Sequence, residues 1–103
     1  MNILKTAEFD RWFTRLRDKR IQQRINDLLA RMEACGQLIG DWKHLGDGVS
    51  EIRLNAGPGL RIYFGRFGKT VVLLLLGGNK SSQDRDIRKA KRLWNEWKDT
   101  YVR

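Results

Sequence analysis

Two arginines, a lysine and a tyrosine are the residues whose types and spacing could do chemistry. Arg53 and Arg61 flank the turn Asn55-Ala56-Gly57-Pro58-Gly59, and Lys80 follows the apolar run after it. The runs Val49–Leu54 and Leu60–Gly65 alternate apolar and polar residues, the period of strands with one buried and one open face. Two glycines supply positive φ in the link and Pro58 fixes its own φ. Paired as a hairpin, Leu54 meets Leu60, Arg53 lies opposite Arg61, and Glu51 opposite Tyr63. Like charges directly opposite one another repel, so the pair implies an anion on an open sheet face. Lys80 arrives from the end of a third strand, Thr70–Leu76, and Tyr63 adds a hydroxyl and a ring. Such a set can hold an RNA phosphate and stabilise the charge that grows on it during transesterification. Attack by a 2′-hydroxyl needs a base, and the leaving oxygen needs an acid. Lys80 is assigned as base and Arg61 as phosphate clamp. The bland alternative pairs Arg53 and Arg61 with Glu51 and Asp84.

Other chemistries find less support. One cysteine and one histidine cannot supply structural zinc spacing, and no Ser-His-Asp arrangement suggests itself. Gly77-Gly78-Asn79-Lys80-Ser81-Ser82 lacks the spacing of a phosphate-binding P-loop. No metal and no cofactor is expected. Lys43, His44, Arg85 and Arg88 are assigned to nucleic-acid contact. His44, the only histidine, receives no catalytic role.

The chain has 103 residues, one domain over 1–103, long enough for a real core. Its 41% hydrophobic content excludes a disordered chain. A net charge of +9, from 21 basic and 12 acidic residues, points to a polyanionic partner such as nucleic acid, or to an acidic protein. Cys35 cannot form an internal disulfide, so a reducing cytoplasm is expected. No secretory signal is visible, and the longest apolar run, Val71–Leu76, is far too short to span a bilayer.

The elements that position these residues follow from periodicity. Phe9, Trp12, Phe13 and Leu16 form a helical stripe with Thr6 as N-cap; Ile21, Ile25, Leu28, Leu29 and Met32 form a second, ended by Gly36. A short link makes them an antiparallel pair. Asn2–Lys5 reads as a possible edge strand and Gln37–Asp47 as a loop, with Trp42 in the core and Cys35 buried or half-buried. Val71–Leu76 is apolar on both faces, as in a central strand covered along much of its length. Ser81 or Ser82 caps a last helix, whose inward stripe is Ile87, Ala90, Trp94 and Trp97. The expected class is α+β: an N-terminal helical hairpin packed on a small antiparallel β-sheet, with a C-terminal helix. The face carrying Arg53, Arg61 and Tyr63 is expected to stay partly open.

The segments GVSEIRLNAGPGLRIYF (Gly48 to Phe64), LLGGNKSSQDRDIRKA (Leu75 to Ala90) and EFDRWFTRLRD (Glu8 to Asp18) resemble the RelE/ParE superfamily of bacterial toxins, and within it the HigB-like branch of addiction module killer proteins. The resemblance implies a RelE-like fold of the class above. It also implies the toxin half of a type II toxin–antitoxin pair that cleaves mRNA on the ribosome. The family's strand arginine falls on Arg61, a preceding basic residue on Arg53, and the lysine after the last strand on Lys80. The tyrosine that stacks on the substrate base in the best-known RelE members falls near Ile87, so either the base is stacked or positioned otherwise, with Tyr63 the candidate, or the activity is weaker. Implied partners are mRNA, the ribosome and a cognate antitoxin, a small helix-turn-helix protein, with promoter DNA reached only through the antitoxin complex and no membrane. Two alternatives stay open: a ParE-like DNA gyrase inhibitor and a non-catalytic nucleic-acid-binding module.

Overall fold

The first element is a strand. In the computed structural model, which describes residues 1–102 and their side chains to residue 100, Asn2–Lys5 (β1) pairs in parallel with Val71–Gly78 (β5), Asn2 opposite Val71 and Lys5 opposite Leu74. Thr6 then turns the chain. Its hydroxyl donates to Leu75 O at 2.6 Å and accepts from Phe9 N at 3.0 Å. One side chain thus caps helix α1, Ala7–Thr14, and ties its start to β5. Helix α2, Lys19–Cys35, is capped by Asp18 and stopped by Gly36 at φ 71°, the left-handed position that suits glycine.

Strands β2 (Asp41–Gly46), β3 (Val49–Leu54) and β4 (Leu60–Phe67) complete a five-stranded sheet in the order β1-β5-β4-β3-β2. β1 and β2 are its two edges, so α1 and α2 carry the chain from one edge to the other. A single 3-10 turn, Lys80–Ser82, leads into helix α3, Gln83–Val102.

Each face of the sheet has its own core. On one, Phe9, Ile25, Leu29 and Met32 of the first two helices pack on Ile52, Ile62, Phe64, Val72 and Leu74. On the other, Ala90, Leu93 and Trp94 of α3 pack on Val49, Tyr63, Leu73, Leu75 and Leu76. A bulge explains the adjacent leucines. Tyr63 opposes Leu76 and Phe64 opposes Leu74, so Leu75 is the extra residue and joins Leu76 on the α3 side. Among the described residues no helix is long and apolar enough to cross a membrane.

The expected α+β class is therefore overturned. The possible edge strand at Asn2–Lys5 does form and opens the chain, but the helices are not an N-terminal hairpin, and the sheet it joins is mixed and five-stranded rather than small and antiparallel. The reason lies in β1. Four residues are too few to show a period, and their partner, β5, lies some 70 residues on. The partly open face is corrected too, because α3 covers it. Gln37–Asp47 is not a loop but largely β2. Trp42 and Trp97, assigned inward, are 41% and 40% exposed, and Cys35 is exposed. The hairpin register does hold, with Leu54 opposite Leu60, Arg53 opposite Arg61 and Glu51 opposite Tyr63.

Candidate nucleic-acid interface

Backbone geometry gathers the sequence's three candidate cations at one end of the sheet. Gly57 and Gly59 take φ of 53° and 77° in the β3–β4 turn, which closes the ladder with Arg53 opposite Arg61. Arg61 in turn lies opposite Gly78, two residues before Lys80. A Cβ on Gly59 would stand 3.5 Å from both Arg61 Nη1 and Lys80 Cβ. Those are ordinary contacts, so it is the positive φ that favours glycine there. Arg61 Nη1 donates to Gly59 O at 2.9 Å and so holds the turn.

The repulsion between the facing arginines is relieved inside the protein, and the inference of an external anion between them is corrected accordingly. Arg61 Nε lies 3.3 Å from Glu51 Oε2, with side-chain exposures of 11% and 0%. Lys43 Nζ lies 3.7 Å from Glu51 Oε1, and Gln83 Nε2 donates to Oε2 at 3.5 Å. Arg53 turns the other way, its Nε 3.2 Å from Asp41 Oδ2 in an exposed pair. Glu51 fills its role in the bland alternative, while Asp41 takes the place given to Asp84. The sequence signal for the Glu51 pair is diagonal. Glu51 faces Tyr63, so it reaches Arg61 two residues along the partner strand on the same face.

Tyr63 is fully buried and its hydroxyl has no hydrogen-bond partner among the described residues. Burial pushes its pKa well above the ordinary phenol value, and the nearby charges of Glu51 and Asp86 push it further. It cannot stack on a base or touch a phosphate, and that role is withdrawn.

Lys80 is exposed, and with Arg85 and Arg88 it lines a cleft of about 390 Å³ at the start of α3. Asn79 organises this corner by accepting from Ser81 N at 2.9 Å and Ser82 N at 3.2 Å. Ser82 Oγ donates to Asp86 Oδ2 at 2.5 Å. Gly78 is needed there, because a Cβ would run into Asp86. A second cleft, of about 410 Å³, is lined by Arg53, Arg61, Asp41 and the turn.

Strand alternation divides Lys43 from His44. Lys43 shares the face of Glu51, whereas His44 Nδ1 meets Ser50 Oγ at 3.2 Å on the other. The structure thus joins Arg53, Arg61, Lys80 and Lys43, with Arg85 and Arg88 beside Lys80, and leaves His44 apart. Among the described residues no group of three His, Cys, Asp or Glu side chains could hold a metal ion.

Fold and site define a small basic domain, a mixed sheet between helices with cations clustered at one end. The chain is 38% identical over 96 residues to a Haemophilus influenzae protein described as "Uncharacterized protein", an alignment that covers 93% of this chain and 95% of that one. The chain belongs to the family of that protein. No protein-family model matches it.

Proposed function

We propose that this domain is the toxic half of a type II toxin–antitoxin pair, an mRNA endoribonuclease of the RelE/ParE superfamily's HigB-like branch that acts on the ribosome in the cytoplasm. One observation carries the reading: in a chain of net charge +9, Arg53 lies opposite Arg61, Arg61 opposite Gly78 two residues before exposed Lys80, and Lys80 shares a cleft with exposed Arg85 and Arg88. Clustered cations of this kind attract a polyanion. In this reading Lys80 is the catalytic cation, free to approach the scissile phosphate or the attacking hydroxyl. Arg61, with Nε against Glu51 and Nη1 on Gly59 O, holds the turn and adds its charge to the site, and Arg53 exchanges Asp41 for phosphate when RNA arrives. Lys43, Arg85 and Arg88 hold the flanking backbone.

The antitoxin, a small helix-turn-helix protein, inhibits by covering this region. β2 offers a route, because it is an edge strand with Trp42, Lys43 and His44 exposed. An extended acidic segment added there would meet unpaired backbone and positive charge together. Promoter DNA is bound only through that complex.

The Arg61–Glu51 pair favours a second reading, a module that binds nucleic acid without cutting it, since the clamp's charge is already matched. Expression in a bacterium, with primer extension on a reporter mRNA, separates the two. Growth arrest with mRNA cleavage, lost in Lys80→Ala and in Arg61→Ala, supports the nuclease. Binding without cleavage supports the second reading. Arrest with intact mRNA and broken DNA would move the domain to gyrase inhibition and end the RNA reading.

A further inference from the structure

A second cationic cleft lies outside the site described above. It has a volume of about 450 Å³ and opens between α1 and α3, beside the end of β5. β1 stops at Lys5, opposite Leu74, so the sheet edge at Leu76 and Gly77 is left uncovered by a strand. Trp12 lies directly on Gly77, where a Cβ would run into its ring, and forms one wall. Arg11 of α1 and Arg15 at its C-cap line one side, Arg85 and Lys89 of α3 the other.

Four cations thus face two carboxylates. Glu8 is 3.6 Å from Arg11 in an exposed pair, and Asp86 is buried under the Ser82 hydroxyl. Among the described residues, Arg15, Arg85 and Lys89 make no ion pair. Arg85 also lines the cleft of Lys80 and Arg88. The two clefts therefore share Arg85 as a wall, which links Lys80 on one side, where Asp84 also stands, to Arg15 on the other.

We propose that the α1–α3 cleft is a second subsite for the phosphodiester backbone of single-stranded RNA, which takes the strand as it leaves the Lys80 end. The proposal rests on the reading of the domain as RNA-directed. Separate cations on two walls fit successive phosphates of a chain better than one small anion.

The test is binding by fluorescence anisotropy of labelled RNAs of about four and about twelve nucleotides across a salt series. Arg15→Gln/Lys89→Gln is compared with Lys69→Gln/Lys98→Gln, an equal loss of charge in the turn before β5 and late in α3. For the longer RNA, the cleft variant should lower the slope of log affinity against log salt by about 1.4, at about 0.7 for each phosphate no longer neutralised. The control should keep the slope, and the short RNA should bind the unmodified protein and both variants alike. Arg15→Gln alone, an exposed change, should lower the slope by about 0.7 and serves if the double variant misfolds. Equal effects of cleft variant and control overturn the proposal, as does equal weakening for both RNAs. So does competition by guanosine monophosphate or inorganic phosphate as strong as that by the longer RNA. An unmodified protein that binds neither RNA sinks the parent reading and this one together. Binding that is indifferent to the cleft sinks this one alone.

Discussion

At the scale of single residues, the polar cluster under α3 decides stability before it decides chemistry. Glu51 is fully buried and matches Arg61, which is nearly so. Removing one partner of such a pair leaves the other charge uncompensated. Glu51→Gln should therefore lower the unfolding free energy by about 3 kcal/mol, read from urea denaturation; a loss below about 1 kcal/mol would show Arg61 finding water instead. Tyr63→Phe should go the other way. The hydroxyl is buried without a partner, so its removal should be neutral or stabilise by about 1 kcal/mol, with RNA cleavage unchanged. A fall in cleavage would restore Tyr63 to the contact surface. The same hydroxyl has a signature in pH. Its folded pKa is raised, whereas the unfolded phenol ionises near pH 10. Below that pH neither state has lost the proton and the stability is fully present. Above it, the unfolded chain gives up the proton first, and stability falls as pH climbs toward the folded pKa. Thermal unfolding followed past pH 10 should show a decline in the parent protein that is smaller in Tyr63→Phe.

At the scale of elements, α3 is held by one aromatic against two glycines. Trp94 lies over Gly65 of β4 and Gly48 of the β2–β3 turn, and a Cβ on either would run into the indole. Phe67 packs on the same ring, 4.7 Å between centroids. Gly65→Ala should push the indole off the sheet and cost about 1–3 kcal/mol, the range for overpacking a filled core. Near-ultraviolet circular dichroism should show the tryptophan environment change, and an unchanged spectrum and midpoint would mean the helix adjusts freely. Because α3 also carries Arg85 and Arg88, that displacement should weaken RNA binding more than the stability loss alone predicts.

At the scale of the whole molecule, net charge is the dominant fact. If about three to five cations meet phosphates, the logarithm of affinity for single-stranded RNA should fall with log salt at a slope of about −2 to −3.5. A slope near zero, from binding titrations between low and physiological salt, would mean that base contacts or protein surfaces dominate. Charge alone names no site. The fold brings residues 53, 61 and 80 to one end of the sheet, with Arg85 and Arg88 in the cleft of Lys80.

What the sequence settled by itself was local. The period of two on either side of the Gly57-Pro58-Gly59 turn set the β3–β4 register, because a slip by one residue would turn every apolar side chain outward. The stripes of α1 and α2, the Thr6 cap and the Gly36 stop were equally legible, since each rests on residues within a turn or two. Tertiary structure alone decided the rest. A two-faced strand such as Val71–Leu76 announces that both sides are covered but not by what, and α3 shuts away Tyr63 and most of Arg61. A strand of four residues has no period to read, so Asn2–Lys5 was legible only as a possible edge strand, and its parallel pairing with β5, which makes the sheet mixed, was invisible. Nor could one chain position show which carboxylate would satisfy which arginine, because that choice is made between residues brought together only when the sheet closes.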